Sequence, residues 1–256
     1  MRLLRAAFVA TMLPALFAHA ADVRDLVANS RERIEKADVR ASGHLIWVQP
    51  SGERTSFPIS FKAHWFPGVL RVFVDIGQPS NAHNDLRQHV LLEMRGSGET
   101  TVRVADPGDQ VARTLPFEKW DVHSLGSGFS YEDFLEEQYF WPGQTADGEV
   151  KYGARDCDVI KSTPGTAVRS HYTEVKTWLD PTIDFPVYVE KTVKETGVVK
   201  EFTYFGIRHE EGIWSAHQIE VKTRGQQGST MLIIDRGSAK ANLSMNDFSL
   251  AQLTHF

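Results

Sequence analysis

What most constrains this chain is a succession of short segments in which apolar and polar side chains alternate, spaced so closely that no long helix fits between them. Leu70, Val72, Val74 and Ile76 alternate with Arg71, Phe73 and Asp75, and His217, Ile219 and Val221 alternate with Gln218, Glu220 and Lys222. A period of two sends the two sets to opposite faces of a strand. The same reading predicts strands near 41–49, 55–65, 90–95, 100–105, 158–162, 172–179, 187–193, 199–206 and 231–236. Turn formers such as Pro50-Ser51-Gly52, Pro67-Gly68, Asp106-Pro107-Gly108 and Glu211-Gly212 stand between them. Short links of this kind join neighbouring strands as hairpins, so the sheet is antiparallel. About ten strands in one flat open sheet would be unusual, and strong curvature or closure is expected.

Two stretches depart from the strand pattern. Over 22–36, Val23, Leu26, Val27 and Ile34 fall on one face of a helix and the charged residues on the other. In the middle, Gly128-Phe129-Ser130-Tyr131-Glu132-Asp133-Phe134-Leu135 predicts a short helix with Ser130 as its N-cap and Asp133 as the acid of a capping box, followed by Tyr139-Phe140-Trp141. Such a segment either packs plainly or covers a cavity made by the curved sheet.

The first twenty residues read as an export signal. Arg2 and Arg5 give a positive start, residues 6–17 are uncharged and apolar around Pro14, and Ala18-His19-Ala20 is a small-x-small cleavage site before Ala21. A membrane span needs roughly 20 uninterrupted apolar residues, which this run lacks. Acylation at the junction needs a cysteine, and the chain has one cysteine, Cys157. Residues 21–256 are expected to form a single exported domain in the periplasm, neither membrane-spanning nor lipidated.

With 41% hydrophobic and 11% aromatic residues the chain can bury a sizeable core, and a net charge of −5 does not suit a nucleic-acid partner. A lone cysteine in an oxidising compartment has no internal partner. Between Asp156 and Asp158 on a strand, Cys157 is expected to turn inward as a small apolar side chain while both carboxylates meet water.

Catalytic signatures do not emerge. Gly126-Ser127-Gly128 lacks the spacing of a nucleophile elbow, and His209-Glu210-Glu211 lacks the second histidine of a zinc-protease motif. Asp156 and Asp158 would share a face that suits a cation, though a solvated turn edge is the plainer reading. Glycine-rich phosphate loops are absent, and the residues imply no catalytic site, metal or cofactor.

The run Leu125-Gly126-Ser127-Gly128-Phe129-Ser130-Tyr131-Glu132-Asp133-Phe134, then Gly153-Ala154-Arg155-Asp156-Cys157-Asp158-Val159-Ile160, resembles the outer-membrane lipoprotein-sorting family of LolA-like periplasmic proteins. Trp178-Leu179-Asp180, Phe185-Pro186-Val187 and Gly212-Ile213-Trp214 are similar to that family's second half, so the resemblance runs over 86–253. It implies a mainly β (α+β) fold: a strongly curved antiparallel sheet forming an unclosed β barrel covered by short helices. It also implies a carrier that binds acyl chains of lipids or lipoproteins without catalysis. Strand alternation nominates Leu70, Val72, Val74, His217, Ile219 and Val221 for the apolar cavity, with Phe134 and Phe140 from its cover. Two other readings stay open. One is an envelope interaction module, a stress sensor or a companion of an inner-membrane transporter; the other is an enzyme whose constellation forms only in three dimensions.

Overall fold

A computed structural model describes residues 22–79, 87–121 and 128–256. The expected export signal at 1–20, Leu86, and Leu125 to Ser127 of the family-like run lie outside the described residues.

Helix α1 (Val23–Glu35) begins where Asp22 accepts a hydrogen bond from the Arg24 amide, and it buries Leu26, Val27, Ser30 and Ile34. Six strands follow: β1 (Asp38–Val48), β2 (Arg54–Phe66), β3 (Val69–Ile76), β4 (Gln88–Arg95), β5 (Thr100–Ala105) and the two-residue β6 (Arg113–Thr114). A connecting segment then makes 3₁₀ turns at Phe117–Lys119, Tyr131–Phe134 and Glu137–Phe140. After it come β7 (Gly143–Tyr152), β8 (Arg155–Thr163), β9 (Tyr172–Asp180), β10 (Phe185–Val193), β11 (Val199–Phe205), a small hairpin of β12 (Arg208–Glu210) and β13 (Ile213–Ser215), β14 (Gln218–Thr223) and β15 (Ser229–Ser238). A 3₁₀ turn (Met245–Phe248) and α2 (Leu250–Leu253) end the chain.

Every strand but β12 and β13 belongs to one antiparallel sheet in the order β6-β5-β4-β3-β2-β1-β15-β14-β11-β10-β9-β8-β7. The chain walks outward from β1 to β6 and, after the connecting segment, inward from β7 to β15, which then pairs with β1. That ordering puts β6 and β7, close in sequence, at opposite edges of the sheet. The segment between Thr114 and Gly143 must therefore cross the sheet's face from one edge to the other. Side chains of β4 and β5, of β9 and β10, and of the crossing segment all join one core, so the sheet wraps around that segment. The barrel is unclosed, and the crossing segment fills it in place of a β6–β7 pairing.

The residue pattern sorts the two faces. Leu45, Phe57, Ile59, Leu70, Val72, Val74, Val90 and Val102 point inward, where they meet Trp120, Phe129, Tyr139 and Trp141 of the crossing segment. Phe73 and Leu91, the alternating partners, point outward and are covered by Leu243, Phe248 and Leu253 of the C-terminal segment. Beneath α1, Leu26 and Val27 pack on Ile160 and Leu179.

The predicted short helix forms as a 3₁₀ turn at Tyr131–Phe134, and its capping box forms as expected: Asp133 Oδ2 accepts from both the amide and the hydroxyl of Ser130 at 2.8 Å. One expectation changes. Cys157 is buried, and burial raises its thiol pKa, but Asp158 is buried as well and only Asp156 meets water. Asp158 directly opposes Leu179, a core residue beneath α1, which explains its burial.

Candidate functional site

The crossing segment is pinned by charges that strand alternation turns inward. Lys191 lies between Val189 and Val193 on the inward face of β10, and Lys200 precedes Phe202 on β11. Their ammonium groups meet Asp133, at 3.1 Å from Lys191 and 2.7 Å from Lys200, and all three side chains are at least nine-tenths buried. Tyr172 donates its hydroxyl to the same carboxylate at 2.6 Å. Both lysines lie over the Tyr172 ring, and Lys191 also over Phe202 at 4.8 Å. Burial alone would raise the Asp133 carboxyl, but the two ammonium groups and these hydrogen bonds hold it far below the ordinary carboxylate range.

A second buried cluster sits beside the first. Glu132 accepts from the His171 amide and lies 2.8 Å from its Nδ1. Desolvation opposes the imidazolium, yet the Glu132 carboxylate prevails and raises His171. Glu137 is raised as well, chiefly by burial and then by the neighbouring charge of Glu132. Past this point the segment is tied to α1, where Arg31 donates to the Tyr139 carbonyl at 2.6 Å and Arg33 pairs with Glu136 at 2.9 Å.

Space remains at the end of the barrel where β1 starts, β2 ends and β3 starts. Two adjoining cavities lie there between the sheet, the end of α1 and the β12–β13 hairpin. One, about 170 Å³, is lined by Ile34, Phe61, Ala63, Leu70, Val72, Phe134 and Trp214. The other, about 320 Å³, is lined by Val39, Ala41, Phe61, Ile213 and Ile234. Val39, Phe61, Ile213 and Ala239 belong to both, so they form one cleft. Its walls combine these apolar side chains with the charged residues Arg33, Lys36, Asp38, Glu136, Arg208, Glu210 and Glu211, and its size falls in the lower range of small-molecule sites. A wider depression of about 600 Å³ on the outer face is lined by Ser42, His44, Ser60, Asp75 and Asp235, and His44 and Asp235 there are each about half exposed.

The nominated cavity residues divide between cleft and core. Leu70, Val72 and Phe134 line the cleft together. Val74 and Phe140 lie in the filled core, Phe140 stacked on Trp65 at 5.5 Å. Val221 borders a separate cavity of about 180 Å³ with Gly128 and Thr230, and Ile219 packs at the margin of the core. His217 stands just before β14, its amide donating to the Phe205 and Gly206 carbonyls and closing the base of the hairpin. Sequence reasoning missed Asp133, Lys191 and Lys200 as a cluster, and Trp214 and Ile213 as cleft walls. The available signal was a lysine at an inward strand position, between Val189 and Val193.

The fold is an unclosed antiparallel β barrel, and solved structures share it. A domain from Vibrio parahaemolyticus described as an outer membrane lipoprotein-sorting protein superposes with a TM-score of 0.78 at 19% identity, over 91% of this chain and 99% of that one. A DUF1329 family protein from Desulfovibrio piger gives 0.78 at 16% identity, over 91% and 98%. A LolA superfamily protein from Nitrosomonas europaea gives 0.66 at 14% identity, over 91% and 100%. At these identities the likeness is one of fold. A protein-family model described as "Uncharacterized protein" matches residues 113–255, more than half of the 256-residue chain, and the chain belongs to that family. No curated protein matches the sequence.

Proposed function

We propose that this protein is a periplasmic carrier that holds an acyl chain of a lipid or lipoprotein in the cleft, without catalysis, as part of outer-membrane lipoprotein sorting. The observation that carries the reading is the cleft under the β12–β13 hairpin, where Val39, Phe61, Leu70, Val72, Ile213 and Trp214 supply an apolar wall in a sheet otherwise filled by its own crossing segment. Each methylene moved from water into such a slot contributes about 0.8 kcal/mol, so part of one acyl chain suffices for useful affinity after the costs of association. The charged start, apolar stretch and Ala18-His19-Ala20 site support export to the compartment where such cargo travels.

Native mass spectrometry of protein recovered from a periplasmic extract tests the reading. The expected spectrum shows a chain beginning at Ala21 with a lipid adduct that dissociates on activation. A chain that begins at Met1, or one that emerges without lipid and takes up no fluorescent acyl probe, would overturn it in favour of an envelope interaction module.

A further inference from the structure

We propose that the β12–β13 hairpin is the gate of the acyl cleft and that the Glu211 carboxylate is its latch, a reading that rests on the cleft being the binding site. The hairpin is the one pair of strands outside the main sheet among the described residues, and its strands pair only with each other, Arg208 opposite Ser215, His209 opposite Trp214 and Glu210 opposite Ile213. A two-stranded hairpin alone is marginal in water, so what holds it down sets how often it lifts. Its base is fixed by the His217 amide on the Phe205 and Gly206 carbonyls. Gly206 has φ of 60°, and a Cβ there would sit 2.9 Å from that of His217, so the base turns at a position that demands glycine.

The tip is held differently. Glu211 Oε2 accepts from the Ser238 hydroxyl at 2.9 Å and from the Ala239 amide at 2.5 Å, joining the turn of the hairpin to the end of β15 across the mouth of the cleft. The Ala239 amide, followed by Ser238, keeps the carboxyl below its ordinary pKa, as acceptance of two hydrogen bonds requires. Both bonds lie in water, where release is cheap. Glu211 and Gly212 form a two-residue turn with φ of 53° and 92°. Asparagine or glycine suits the first of these positions, and glutamate adopts it under strain. Strain at one residue that also supplies the tie points to a role for its side chain. Behind the tip, Ile213 and Trp214 face the cleft, so lifting the hairpin exposes the apolar wall to incoming hydrocarbon.

Two arms test this in the full exported chain, with a fluorescent sixteen-carbon fatty acid as the probe. In the first, hydrogen exchange over 207–216 is compared between the parent, Glu211→Ala and Glu211→Gln. The expected result is exchange about tenfold faster in Glu211→Ala, with Glu211→Gln between the two, while β14 and β15 stay unchanged. In the second, Glu211→Cys with Ser238→Cys is bridged by a reducible bismaleimide. Probe uptake and release are expected to slow by about tenfold or more and to recover on reduction, whereas Glu211→Ala speeds both with little change in Kd. Equal exchange in the parent and Glu211→Ala, or unaltered uptake by the bridged protein, would overturn the gate. A parent that takes up no probe overturns the acyl reading instead, and the exchange arm still decides whether Glu211 latches the hairpin.

Discussion

Replacing Asp133 by alanine asks what holds the crossing segment inside the barrel. The carboxylate accepts from Lys191, Lys200, Tyr172 and both the amide and the hydroxyl of Ser130, with its side chain fully buried. Removing it leaves two ammonium groups in an apolar interior with no carboxylate between them. Breaking one side of a buried ion cluster costs about 3–5 kcal/mol, because the remaining charges stay desolvated. For a domain of this size that is roughly 6–20 °C in Tm. Thermal unfolding followed by circular dichroism reads the shift, and a triple variant, Asp133→Leu with Lys191→Met and Lys200→Met, separates charge from shape. Loss of the whole cluster to apolar groups of similar size is expected to restore most of the stability. Acidity gives a second readout. The folded Asp133 carboxyl lies far below its unfolded value of about 3.9, so its contribution is complete above that pH and decays as pH falls below it. Asp133→Ala should show a flatter acid limb than the parent. A Tm within about 2 °C of the parent would refute the idea that this cluster pins the segment.

Legibility in the sequence followed how far a residue's environment is set by its own neighbours. The strands β3 and β5 were readable because their inward apolar side chains recur at every second position, as Leu70, Val72, Val74 and Ile76 do in β3 and Val102 and Val104 do in β5. Strand β7 was not readable. Thr145, Asp147, Glu149 and Lys151 are exposed, and so are Ala146, Gly148 and Val150 between them, since an edge strand held by pairing to β8 alone buries neither face. The hairpin of β12 and β13 has strands of three residues, too short for a period, and only its Glu211-Gly212 turn could be seen. The buried cluster was hidden by distance, with Lys191 and Lys200 lying 58 and 67 residues beyond Asp133. The location of the cleft depended on where the crossing segment's aromatic side chains fall. Tyr139, Phe140 and Trp141 fill the barrel, and the free space is left near α1. No periodicity of the strands contains that information.

Four further expectations follow from particular contacts. A Cβ on Gly43 would lie 1.8 Å from the Ile233 carbonyl oxygen at the β1–β15 bulge, so Gly43→Ala should break the pairing that joins the two halves of the sheet and yield insoluble or molten protein, checked by expression and circular dichroism. Cys157 is 3% exposed and its thiol is raised by burial, so alkylation should be slow in the native state and fast in denaturant; equal rates would contradict the burial. His171 is raised by Glu132 against desolvation, with Asp121 and Glu195 also nearby, so its contribution is present below about pH 6.5 and fades as pH rises through the folded value. Stability differences between parent and His171→Gln, measured from pH 5.5 to 9, should shrink with rising pH; a constant difference would show that His171 is not charged. The last concerns core against cleft. Val74 is fully enclosed, so asparagine there strands an amide without partners and should cost about 1–3 kcal/mol or more. Val72, two residues away on the same face, borders the cleft, where an amide can keep water in the empty state. Val72→Asn should therefore melt closer to the parent than Val74→Asn does, yet bind the acyl probe about tenfold more weakly, because the probe must displace that water. Equal melting losses at the two positions, or parental probe affinity in Val72→Asn, would mean that the space beside Val72 is not where hydrocarbon goes.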